Sequence, residues 1–261
     1  MTYAMIFSQM MENNQRYGKE TKMNYAIVLA GGQGERMGKT VVPKQFTIIK
    51  NKPILWYTLE TIEKNQNIDG ACVVAPIEWH ETINKWCKEN DYKKVKILAI
   101  SGLDRRQSVH NGLLKINQYK VENVMIMTAV CPFVSQKSIN QHFEDINKFE
   151  GCITVVAAVD AITFSNDANK AQRTLQKKKM FVQQGPQTYK YQTILEAHNE
   201  YVENPYNPEV NEDSELILNM GFEIGMVHGD RFCMKVTYPE DIAIVEALLP
   251  LFIEKELSKV N

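Results

Sequence analysis

The chain of 261 residues has no excess of either charge: 30 lysines and arginines face 31 aspartates and glutamates, a formal net charge of −1. A nucleic-acid scaffold usually carries a basic surplus or stripe, so no nucleic-acid partner is expected. Long apolar runs are missing too. None approaches the roughly 20 residues that a membrane-spanning helix needs, and no membrane partner is expected. Cysteine is sparse: Cys72, Cys87, Cys131, Cys152 and Cys233 make an odd number with no C-x-x-C pair. That argues against a disulfide framework or a zinc site and fits the reduced thiols of a cytoplasmic protein. Residues 1–22 lack a long apolar segment behind basic residues, so they do not read as a signal peptide; they are either a flexible N-terminal extension or sequence ahead of a start at Met23. There is no internal repeat and no low-complexity linker. What is present, 44% hydrophobic and 23% charged residues, suits a single domain over 23–261.

Short apolar runs rich in β-formers alternate with segments of helical spacing. Strands are expected at 25–30 (YAIVLA), 70–76, 95–100 and 123–128, with helices at 53–63, 81–90 and 108–116. Such alternation predicts an α/β fold with a mostly parallel sheet covered on both faces. Ligands then gather outside the carboxyl ends of the strands, which points to the loops after Ala30, Ile100 and Thr128. A further strand is expected at 152–159. The rhythm breaks over about 160–190, which is polar and carries Lys177-Lys178-Lys179. This stretch reads as a projecting β-hairpin arm, a plausible dimerisation device. Helices near 192–202 and 213–219, a strand near 223–227 and a last helix over 239–257 complete the pattern.

The most informative string is L-A-G-G-Q-G-E-R-M-G at 29–38, followed by Pro43-Lys44-Gln45. A strand ends and the chain turns through Gly31, Gly32 and Gly34. Glycine tolerates φ > 0 and lets a ligand approach the backbone, and N–H groups exposed in such a turn can ring an anion. Arg36 and Lys44 add cations suited to a triphosphate. The string is neither the G-x-x-x-x-G-K-[ST] of a P-loop nor a strict G-x-G-x-x-G.

The string AGGQGERMG…VPKQF resembles the nucleotide loop of the IspD/TarI-type cytidylyltransferases. Three more motifs carry the resemblance from about residue 24 to residue 247: S-G-L-D-R-R-Q-S-V at 101–109, G-P-Q-T-Y at 185–189 and K-V-T-Y-P-E-D at 235–241. The resemblance implies a Rossmann-like, GT-A-like nucleotidyltransferase that uses CTP and a polyol phosphate, either ribitol 5-phosphate or 2-C-methyl-D-erythritol 4-phosphate. It implies that Ala30, Gly31, Gly32 and Gly34 lie against the nucleotide and that Gly102 and Ser108 contact the cytosine. Arg36, Lys44 and Lys235 would be the catalytic cations. Lys177 would reach the acceptor phosphate across a homodimer, and Mg²⁺ would be the cofactor.

One motif departs from the family. D-[AS]-[AV]-R-P-F is replaced by Thr128-Ala129-Val130-Cys131-Pro132-Phe133. Thr128 thus stands where the family places its metal-binding aspartate, and a hydroxyl brings no charge to Mg²⁺. Asp104 and Asp213 are the alternative carboxylates. Three readings follow: a cytidylyltransferase with an altered acceptor, a catalytically impaired nucleotide-binding homologue with a regulatory role, or a nucleotidyltransferase for another sugar phosphate.

Overall fold

The run MNYAIVL forms strand β1 (Met23–Leu29), whose residues Tyr25 to Val28 are wholly buried. Burial on both faces is what a continuous apolar strand inside a parallel sheet requires. The computed structural model describes residues 22–32, 34, 42–203, 210 and 212–258. Most of the expected N-terminal extension and Arg36 lie outside the described residues. A short antiparallel pair, β2 (Ile48–Ile49) and β3 (Lys52–Pro53), leads into α1 (Ile54–Lys64). Pro53 precedes the helix, a place where its fixed φ is favourable.

The chain then alternates through β4 (Gly70–Ala75), α2 (His80–Glu89), β5 (Val95–Ile100), α3 (Arg105–Ile116), β6 (Val121–Thr128), α4 (Gln136–Asp145) and β7 (Gly151–Ala157). The small antiparallel pair β8 (Thr163–Phe164) and β9 (Arg173–Thr174) follows. The remaining elements are β10 (Phe181–Lys190), α5 (Tyr191–Glu203), α6 (Asp213–Asn219), β11 (Ile224–His228) and α7 (Glu240–Leu257). The main sheet has seven strands in the order β11-β7-β10-β6-β1-β4-β5. All its pairings are parallel except the two made by β10. The expected α/β architecture is therefore present.

Strand periodicity divides the core. Ala26 and Val28 face one side, with Leu55, Leu59, Ile83 and Ile139 from α1, α2 and α4. Tyr25 and Ile27 face the other, with Val109, Leu113, Ile194 and Ile217 from α3, α5 and α6. Successive β residues point to opposite faces, so one apolar strand serves both layers. A third cluster, including Phe133, Val236, Val245 and Phe252, seats α7 beside the end of β6.

Two elements differ from the sequence reading. Helix α4 was not expected, because residues 136–145 carry few apolar side chains. Its inner face uses polar ones: His142 is fully buried, with Nε2 2.8 Å from Thr154 Oγ1. The expected arm over about 160–190 is divided. Residues 163–174 form the β8–β9 hairpin, but β10 returns into the sheet between β6 and β7. Pro186 argues against a central strand, because it has no N–H for the ladder. The ladder accommodates it by skipping: Gln184 pairs with Thr154, and the next pair is Gln187 with Ile153. Thr154 Oγ1 donates to the Pro186 carbonyl at 2.7 Å and closes the gap.

Gly70 opens β4 directly across from Tyr25. A Cβ at Gly70 would lie 2.5 Å from Tyr25 Cζ and 2.8 Å from Cε1. The ring is fully buried and packs against Tyr119, with ring centroids 5.0 Å apart. Gly70→Ala should therefore destabilise the fold by about 1–3 kcal/mol, the range for overpacking a core. Urea unfolding checks this; an unchanged midpoint would show that the ring is not confined as described.

Candidate active site

The carboxyl ends of β1, β4, β5 and β6 open into a crevice of about 860 Å³. Pockets for small ligands typically span roughly 300–1,000 Å³ and lie at such strand ends in open α/β sheets. The first wall is the turn after β1. Ala30 N–H donates to Val74 O at 2.8 Å, and the Ala30 carbonyl accepts from the buried Gln45 Nε2 at 2.6 Å. Gly31, Gly32 and Gly34 then line the crevice. A Cβ on Gly31 would fall 2.4 Å from Ser101 Cβ, so only glycine lets this turn meet the loop after β5. Gly34 has φ +71°, the left-handed region that favours glycine.

The second wall is the loop Ser101–Asp104 and the first turn of α3. Ser108 Oγ accepts from Gly102 N–H at 2.9 Å and donates to the Asp104 carbonyl at 2.8 Å. Asp104 is the N-cap of α3, its carboxylate accepting from Gln107 N–H at 2.7 Å. Gln107 Oε1 in turn accepts from Leu103 N–H at 2.7 Å. The loop is thus closed on itself. Both hydrogen-bonding functions of the Ser108 hydroxyl hold Gly102 and Asp104, and its position in the wall follows from that.

Two lysines stand at the other side, by the end of β6. Lys44 Nζ donates to the Val236 carbonyl at 3.1 Å, and Val236 N–H donates to Val130 O at 2.9 Å. These bonds set Lys235 beside Thr128 and Val130 on the lining of the crevice. Asp241 fixes the same segment by accepting from Thr237 N–H at 2.6 Å and Tyr238 N–H at 2.9 Å. In K-V-T-Y-P-E-D, the lysine therefore faces the crevice while the aspartate holds the backbone that presents it.

Of the residues singled out by sequence, Ala30 anchors the first turn. Gly31, Gly32, Gly34, Lys44, Gly102, Ser108, Thr128 and Lys235 line one crevice. Two do not join them. Lys177 is exposed in a turn beside the β8–β9 hairpin, its ammonium donating to Val159 O at 2.9 Å. Asp213 is buried and engaged elsewhere: Arg105 Nη1 lies 2.6 Å from its Oδ2 and His198 Nε2 3.1 Å from its Oδ1. Gln45 and Arg105 were given no role by the sequence reading. Their only signal was membership of the Pro-Lys-Gln and S-G-L-D-R-R-Q-S-V strings.

At the end of β6 the described residues offer a divalent cation no charged ligand. Thr128 supplies a hydroxyl, and Asp104 is committed to its cap. Among the described residues no group of three or more His, Cys, Asp or Glu could hold a metal. Burial pushes the Cys131 thiol up to about 11, against the lowering charges of Lys235 and Lys44. At neutral pH it is an uncharged neighbour of the two lysines.

Strand order, glycine turn and paired lysines together define an α/β nucleotidyltransferase. The family described as 2-C-methyl-D-erythritol 4-phosphate cytidylyltransferase (IspD) matches residues 24–250, and the chain belongs to it. The ribitol-5-phosphate cytidylyltransferase of Vibrio parahaemolyticus is 30% identical over 229 residues, covering 87% of this chain and 96% of the relative. The 2-C-methyl-D-erythritol 4-phosphate cytidylyltransferase of Clostridium tetani is 32% identical over 229 residues, covering 88% and 91%. The solved 4-diphosphocytidyl-2C-methyl-D-erythritol synthase of Anaerococcus prevotii shares the fold, with a TM-score of 0.76 at 23% identity over 88% of this chain and 96% of that one.

Burial alone raises the Asp213 carboxyl, but the hydrogen bond with His198 and the charge of Arg105 outweigh it and hold it below the ordinary value. A depressed carboxylate contributes stability above its unfolded pKa of about 3.9 and loses it as pH falls through the lower folded value. The stability gap between wild type and Asp213→Asn should be widest at neutral pH and shrink below about pH 4. Urea unfolding at pH 7, 5 and 3.5 measures it; a gap that widens towards acid would reverse the assignment.

Proposed function

We propose that the protein transfers the cytidylyl group of CTP to a polyol phosphate and releases pyrophosphate. The observation that carries this reading is the single crevice that sets Lys44 and Lys235 opposite the closed loop 101–108, with the glycine turn between them. Ribitol 5-phosphate and 2-C-methyl-D-erythritol 4-phosphate are the acceptors named for the two curated relatives, and both belong to the proposed acceptor class. Those relatives are all cytidylyltransferases, which favours this reading over a regulatory homologue or a transferase for another sugar phosphate.

In the proposed reaction the base lies against Gly102 and the Ser108-held loop, and the triphosphate runs along Gly31, Gly32 and Gly34 towards the lysines. Arg36, outside the described residues, is the third cation that the family resemblance implies. An oxygen of the acceptor phosphate attacks the α-phosphorus of CTP in line. The new P–O bond forms as the bond to the β-phosphate oxygen breaks, and pyrophosphate leaves with that electron pair. A phosphate monoester dianion is already a competent nucleophile, so no general base is needed. The protein contributes position and charge: Lys44 and Lys235 neutralise the oxygens that gain charge at the transition state. Mg²⁺ is implied by the family. Among the described residues no group of three or more His, Cys, Asp or Glu is placed to hold it, and we infer that it would arrive on the nucleotide's own phosphates.

The same reading includes a homodimer formed through the arm. Val159, Phe164, Phe181 and Val182 expose apolar surface there, and a partner could bury them while bringing Lys177 to the acceptor phosphate. It also includes a cytoplasmic setting. All five cysteines are buried free thiols, and no helix among the described residues is long and apolar enough to cross a membrane.

Pyrophosphate release from CTP with a panel of polyol phosphates tests the function. Release with at least one acceptor is expected, whereas CTP binding without release from any of them would support the regulatory reading. Lys44→Ala should lower kcat/KM by about 10²–10³-fold, comparable to removing one preorganised donor of transition-state charge. Its circular dichroism should match wild type; a near-normal rate would remove Lys44 from the mechanism.

A further inference from the structure

Helix α3 begins with two consecutive arginines, Arg105 and Arg106. A helix N-terminus carries partial positive charge and disfavours cations, so their placement calls for compensation. Both reach away from the helix axis to the same neighbouring segment. Arg105 pairs with Asp213 Oδ2 at 2.6 Å and Glu212 Oε2 at 3.3 Å, at the start of α6. Arg106 donates to the Val210 carbonyl and lies over the Tyr201 ring of α5, 3.8 Å from its centroid. Asp213 is 2% exposed and also meets the buried His198. Glu212 accepts from Gln187 Nε2 at 2.8 Å, which ties the pair to β10.

Taking a carboxylate out of water costs several kcal/mol, and an apolar contact of the same size would often stabilise a fold as well or better. A buried ion pair does fix direction, because a guanidinium fork donates to carboxylates that lie in its own plane. Arg105 is the residue that immediately follows the loop Ser101–Asp104. Apart from Ser101 N–H, which donates to Ala75 O at 3.0 Å, the hydrogen bonds that shape that loop end within the first turn of α3, on Asp104, Gln107 or Ser108. Those bonds hold the loop to the helix, but none holds the helix end to the rest of the protein. The arginine pair does.

We propose that Asp213, acting through Arg105, is a positioning residue for nucleobase selection: it fixes the first turn of α3 so that the loop 101–108 presents one arrangement of polar groups to the base. The inference rests on the assignment of this loop to the base of CTP. Asp213 itself touches no substrate, and its effect is on the geometry of Gly102 and its neighbours.

Isothermal titration of the full chain with CTP and with UTP tests it, on wild type, Arg105→Lys and Asp213→Asn, with thermal unfolding of each. Arg105→Lys keeps the charge but loses the planar fork, so it carries the test if Asp213→Asn does not fold. In the folded variants the preference for CTP over UTP should fall at least about tenfold, the scale of a misplaced hydrogen-bonding group in a selective site. Folded variants that melt earlier yet keep the wild-type preference would overturn the proposal and leave the network a purely structural one. A wild type that binds both nucleotides equally would instead overturn the assignment of the base loop, and this inference with it.

Discussion

The close approach of two backbones governs this site. Gly31 passes so near Ser101 that a Cβ would sit 2.4 Å from the serine's own. Without that approach the turn after β1 and the loop after β5 would stand apart, and the crevice would have no common floor. The hydrogen bonds around it serve the same end. Ala30 is held on one side by Val74 O and on the other by Gln45, while Ser101 N–H donates to Ala75 O at 3.0 Å. The parallel sheet supplies the alignment: β1, β4 and β5 are neighbours, so their carboxyl ends meet at one edge.

Charge is distributed across the crevice with the same economy. Lys44 and Lys235 stand by the end of β6, and Asp104 and Glu78 lie on the side of β4 and β5. A nucleotide lying between them would have its phosphates by the lysines and its neutral base by the loop that Asp104 caps. Neither Thr128 nor the neutral thiol of Cys131 brings a negative charge to the end of β6.

Much of the α/β plan was legible in the sequence because apolar strand runs and glycine punctuation are local signals. The alternation of YAIVLA, GACVVA and NVMIMT with helical segments needs no tertiary knowledge. Helix α4 was illegible because its buried face carries Ser138 and His142 beside Ile139, with the His142 Nε2 meeting Thr154, a partner from a distant strand. Strand β10 was illegible because Pro186 contradicts a central strand until the skipped ladder is seen. In the site, glycines and lysines were readable from their strings. Gln45 and Asp241 were not, since each acts by holding a backbone group whose position only the fold reveals. Asp213 shows the reverse error: an acidic residue near a phosphate site suggested a metal ligand, but its partner is Arg105 at the start of α3.

The central claim is that one nucleotide spans the turn after β1, the loop 101–108 and the segment that carries Lys235. Hydrogen–deuterium exchange of the protein with and without saturating CTP tests this most directly. The account predicts slowed exchange in those three segments together, with α7 unchanged. Saturating CTP that protects none of them, or protects only a surface elsewhere, would contradict it.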